Sequence, residues 1–192
     1  MALVTTPGAA DADSYFTLAE ATAYFTARGI ATWTGSDTVK ESAARRGTTY
    51  LDNQYRGRWK GYRTEQLQAL AWPRVGSGGD SRLRAQGDTF AVYGIVDDDG
   101  FEIPTNVIPA QIKTAAMEAA LLVLTGVTME PRLERGGQIK SKLEQVGPIS
   151  ESTTWMDGAP AVDRFLAIEG LLRGLVNSMP GSTSGNVRLV RS

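Results

Sequence analysis

The sequence predicts a mainly α fold: a helical bundle with an inserted β-hairpin, a short edge strand and an extended C-terminal tail. Three observations carry this. Apolar residues recur at helical spacing in long segments that carry start and stop signals. A β-branched and aromatic segment broken by Gly87-Asp88 interrupts them. The chain then closes on a Gly/Ser spacer followed by alternating apolar and basic residues. At 192 residues there is enough chain for one domain with a proper core. We place that domain at 1–178, with an inserted hairpin or loop at 75–100 and a docking tail at 179–192.

Residues 1–13, small and Pro/Gly-containing, are expected to be extended or mobile. Thr17-Leu-Ala-Glu20 has the form of a capping box and opens a helix to about Arg28. Leu18, Ala21, Tyr24 and Phe25 lie on one face, and Gly29 supplies the stop. Ser36 and Asp37 cap a second helix, in which Val39, Ala43, Gly47, Tyr50 and Leu51 recur up to about Asn53. Trp33 is placed to fold back on these two helices as a core ring. From Thr64 a short helical stretch with Leu67 and Leu70 inward leads to Trp72-Pro73, where the proline ends it.

Arg82–Gln86 and Thr89–Val96 meet at Gly87-Asp88 as a hairpin. Pro109 starts the most apolar helix, about 109–125, which we take as the central core helix, and Gly126 ends it. Residues 137–148 read as an edge strand, with lysines on one side and Pro148 at the end. Pro160 starts a final helix to about Asn177, with Val162, Phe165, Leu166, Ile168, Leu171, Leu172 and Leu175 on its buried face.

Composition excludes several chemistries. The absence of Cys removes disulfides, thiol nucleophiles and thiolate metal sites, and the absence of His removes Ser-His-Asp and Cys-His catalysis and imidazole ligands. The expectation is a protein with no catalytic residues, no metal and no cofactor. Asp97-Asp-Asp-Gly100 resembles part of a calcium loop, but lacks its distant bidentate Glu, so an acidic turn is the simpler reading and a divalent-ion enzyme the remote one. Net charge is −1, so any attraction to nucleic acid must come from a local patch. Met1–Ala10 lacks the charged start and apolar core of a signal peptide, and no apolar run approaches the ~18 residues a spanning helix needs. A soluble intracellular protein with no membrane partner is expected.

The segment of unusual chemistry is Tyr50–Arg63 with its continuation to Arg74. It sets Arg56, Arg58, Lys60, Arg63 and Arg74 among Tyr55, Trp59, Tyr62 and Trp72, broken by Gly57 and Gly61. Such a run suits base stacking with phosphate neutralisation, or a protein interface anchored by aromatic and Arg side chains. It also suits plain packing, with rings in the core and arginine stems over apolar surface.

In order, the segments resemble those of small phage head–tail connector adaptors, many of whose members carry the label DnaT-like single-stranded DNA-binding protein. The resemblance rests on Asp13–Phe25, on Tyr50-Leu-Asp52 leading into Gly57-Arg-Trp59, and on Gln68-Ala-Leu-Ala-Trp-Pro-Arg74. Asp99-Gly100 followed by Ile103-Pro104 and Ile108-Pro109, then Val146-Gly-Pro148, complete it. It departs from the family pattern between Val75 and Val96, where a short link gives way to the hairpin.

The resemblance implies a structural, non-enzymatic adaptor of a tailed bacteriophage, made in the host cytoplasm and located in the virion neck. It would form a ring, usually of twelve copies, beneath the portal, continue the duplex DNA channel, and meet a tail-side connector or stopper protein. Tyr55 to Arg74 would then lie at subunit contacts, and Val187, Arg188, Leu189, Val190 and Arg191 would dock on the portal as an added strand. The rival reading is a single-stranded DNA binder that stacks bases on Tyr55, Trp59 and Tyr62 and sets Arg56, Arg58, Lys60 and Arg63 against phosphates.

Overall fold

Thr17 opens the first helix as its spacing predicts. Its hydroxyl accepts from the Glu20 amide at 3.2 Å while the Glu20 carboxylate accepts from the Thr17 amide at 2.7 Å. The structure, a computed structural model, describes residues 2–76, 94–129, 139–145, 150–155 and 165–177. Its helices are α1 (Leu18–Ala27), α2 (Asp37–Gln54), α3 (Ala110–Leu124) and α4 (Leu166–Leu171). Short antiparallel pairs are β1 (Tyr62–Arg63) with β2 (Arg74–Val75) and β3 (Ile95–Val96) with β4 (Glu102–Ile103). A longer pair joins β5 (Ile139–Gln145) and β6 (Ser150–Trp155), with an irregularity between Ile139 and Ser141.

The core lies between α2 and α3. Small residues allow the two backbones to approach closely: Ala43, Ala44 and Gly47 on α2 meet Ala115, Ala116, Ala119 and Ala120 on α3, all buried. At Gly47 a side-chain carbon would stand only 2.6 Å from the Ala120 amide nitrogen, so no larger residue fits without moving a helix. Phe25 and Trp33 close the α1 end, their rings 4.9 Å apart, which places Trp33 where the sequence reading put it. Polar ties fix α1 to α3: Lys113 pairs with Glu20 at 2.6 Å, and the Tyr24 hydroxyl donates to Glu118 at 2.7 Å.

Several expectations change. The fold is mixed, with helices and two-stranded sheets among the described residues, in place of a mainly α bundle. No helix forms at 64–70, because the buried Gln68 side chain takes over the local hydrogen bonds. It accepts from the Glu65 amide at 2.9 Å and donates to the carbonyls of Leu70 and Pro73 at 2.8 and 3.1 Å. The Trp72-Pro73 peptide bond there is cis.

Residues 2–13, expected to be loose, fold back instead: Val4 and Asp13 exchange backbone and side-chain hydrogen bonds, and Ala12 is buried. Val96 pairs forward across the Asp97–Gly100 turn with Glu102, while the rest of the expected 82–96 hairpin lies outside the described residues. The strand expected at 137–148 is present as β5, and its partner β6 was not foreseen. The start of the last helix, 161–164, and the tail Val187–Arg191 also lie outside the described residues. Beyond α4 the chain pairs with the aromatic–basic run, Lys60 donating to the Leu175 carbonyl and Asn177 to that of Arg58.

Candidate nucleic-acid interface

The aromatic–basic run begins where α2 ends, and its rings separate at once into buried and exposed. Tyr55, Trp59 and Trp72 are 2%, 5% and 1% exposed. Trp59 meets Tyr55 at 5.4 Å and Trp72 edge-on at 6.0 Å, forming an aromatic cluster under the loop. Their burial corrects the reading of Tyr55 and Trp59 as stacking platforms, and that of Trp72 as an interface ring, since no base can reach their faces. Tyr62 is different: its residue is 66% exposed.

The cations divide as well. Arg58 lies over the Tyr55 ring at 5.2 Å, and Lys60 pairs with Asp98 at 3.2 Å, on the side facing α4. Arg56, Tyr62, Arg63 and Arg74 line a different opening, a groove of about 470 Å³ whose other walls include Asp52, Asn53 and the Ala69–Ala71 segment. Arg56 and Arg63 are exposed on it. Arg63 spends one donor on the Gln68 carbonyl at 2.9 Å, which holds its guanidinium at the rim.

The floor is built from Arg74 and Asp52. Arg74 donates to the carbonyls of Lys60 (2.8 Å), Ala71 (3.0 Å) and Gly61, one bond from each of its three nitrogens. It therefore clamps the loop onto itself more than it reaches outward, and burial lowers its pKa. Asp52, on the last turn of α2, accepts from the Ala71 amide at 2.8 Å and from the Tyr15 hydroxyl. Burial raises the Asp52 pKa above its ordinary value, against the opposing pull of those two donors. Burial and the facing carboxylate push the Tyr15 hydroxyl well above its usual range.

Sequence reading missed Asp52 as part of this site. A signal existed: Asp52 is four residues after the buried Thr48, which puts a carboxylate on the inward stripe of α2. The acidic turn at Asp97 is occupied with its own loop, its carboxylate accepting from the amides of Asp99 and Phe101. Among the described residues no group of three or more acidic side chains is gathered to hold a metal ion, and no helix is long and apolar enough to cross a membrane.

The mixed fold thus presents an exposed aromatic ring, Tyr62, among guanidinium groups on one groove. The chain matches the model of the family described as "Putative DnaT-like ssDNA binding protein" over residues 1–88 and 93–192, and it belongs to that family. No curated protein and no solved structure matches it.

The family overturns the head–tail connector reading, and with it the ring of copies, the portal and stopper partners and the duplex channel. The physical reason lies in what the resemblance was built on. Tyr15, Phe16, Ala21, Phe25, Tyr50, Leu51, Trp59, Gln68 and Trp72 are all buried. Segments made of such residues report how a domain is packed, and carry nothing about which partner its surface meets.

Proposed function

We propose that this protein binds single-stranded DNA in the Arg56–Tyr62–Arg63 groove, and that it acts by binding and not by catalysis. The observation that carries the reading is the convergence of an exposed Tyr62 ring with two exposed guanidinium groups on one opening. An aromatic face takes any base, and flanking cations follow the phosphates on either side of it. With a net charge of −1 the attraction is local, confined to this patch. The family to which the chain belongs and the lack of His and Cys support the same reading.

The test is fluorescence anisotropy of a labelled single-stranded oligonucleotide at low salt. Wild-type protein should bind with salt-sensitive affinity, and Tyr62→Ala should weaken binding about tenfold, from a stacking contact of about 1–3 kcal/mol. Arg56→Ala and Arg63→Ala should each flatten the slope of log affinity against log salt by about 0.7. A labelled strand left unshifted by micromolar protein, or a Tyr62→Ala variant that binds as well as wild type, overturns the proposal.

A further inference from the structure

The floor of the groove has a chemistry that a plain phosphate channel would not have. A site built to hold phosphate offers donors, whereas here three of the five N–H groups of Arg74 already donate to main-chain carbonyls. Asp52 beside it is an acceptor. Its two oxygens each take one hydrogen bond, from Tyr15 and from Ala71, and these fix the plane of the carboxylate. Each oxygen keeps further acceptor capacity. At this floor the charges of Asp52 and Arg74 offset each other, whereas the rim carries the exposed cations Arg56 and Arg63. Phosphates drawn to the rim cations would leave the bases of a bound strand turned inward.

Resting on the proposed binding of single-stranded DNA, we propose that Asp52 makes the groove selective for bases that carry an exocyclic amino group. A base stacked on Tyr62 would turn its Watson–Crick edge toward Asp52, and the amino group of cytosine, adenine or guanine would donate to the carboxylate. Acidic side chains accept from the cytosine amino group in this way when they read bases. Thymine is disfavoured, because carbonyl oxygens flank its one N–H on that edge and confront the carboxylate with lone pairs. Ala69, Leu70 and Ala71 form the wall beside Asp52.

The experiment compares homopolymeric oligonucleotides of one length by anisotropy with the full chain: deoxycytidine, thymidine and N4,N4-dimethyldeoxycytidine. The two natural pyrimidines stack alike, and the dimethylated one keeps the cytosine ring but has no amino donor. The expected result is about tenfold tighter binding of the cytosine strand than of thymine, with the dimethylated strand falling to the thymine level.

Asp52→Asn should abolish the preference; its one carbonyl can accept from Ala71 or from the Tyr15 hydroxyl but not from both, so its urea midpoint is measured alongside. The wild-type comparison decides the matter even if that variant is unstable. Equal binding of all three strands, with salt and Tyr62 dependence intact, overturns the selectivity and leaves the binding groove standing. No binding of any strand at low salt overturns both.

Discussion

Trp59 and Tyr62 stand three positions apart in the chain, and the bend at Gly61 sends their rings to opposite fates. Gly61 has a φ of +66°, and a side-chain carbon there would lie 2.0 Å from the Val75 carbonyl oxygen, so only glycine lets β1 and β2 close over it. On the inner side Trp59 fills the space between Tyr55 and Trp72. Trp59→Ala should cost roughly 3–5 kcal/mol of stability, read as a lowered urea midpoint, because the cavity it leaves cannot collapse fully. Any loss of DNA binding in that variant should follow the loss of folded protein. Tyr62→Ala, by contrast, should leave the midpoint where it is.

Among elements, the α2–α3 contact sets the architecture, and its geometry depends on Gly47. In an isolated helix alanine is preferred to glycine by about 1 kcal/mol. Here the added methyl would meet the Ala120 backbone at 2.6 and 2.9 Å, atoms that cannot rotate away. Gly47→Ala should therefore destabilise the protein by a net 1–2 kcal/mol or about that, the overpacking cost exceeding the propensity gain. Chemical denaturation would show it, and a stabilised variant would mean that the helices stand further apart than described. The short strands have another origin. β1 and β2 are held by Arg74 and Gln68, side chains that bond main-chain carbonyls across the loop. Local periodicity gives no sign of such pairings.

At the scale of the whole molecule, the tie between α1 and α3 is one source of pH sensitivity among the described residues. Burial alone would raise the Glu20 pKa, but the pair with Lys113 and the bonds from Thr17 outweigh it, and the net shift is downward from 4.5. A carboxylate whose folded pKa lies below its unfolded value is protonated first in the unfolded chain. Its contribution is therefore present above the unfolded pKa and is lost as pH falls through the folded one. The stability gap between wild type and Glu20→Gln, which keeps a capping side chain, should be widest at neutral pH and should narrow as the pH falls below the ordinary glutamate range. Urea midpoints measured along an acid series check it.

The sequence by itself determined the capped start of α1, the span of α2, the apolar α3 and the core role of Trp33, because helix caps and apolar stripes are properties of neighbours in the chain. It also drew attention to the aromatic–basic run, yet could not sort its rings. Only tertiary structure decided that Trp59 is core and Tyr62 surface, that Arg74 is spent on carbonyls, and that Asp52 reaches the groove from α2. Those outcomes depend on side chains meeting across a non-helical loop, and alternation along the chain does not encode which residues a bend will bring together.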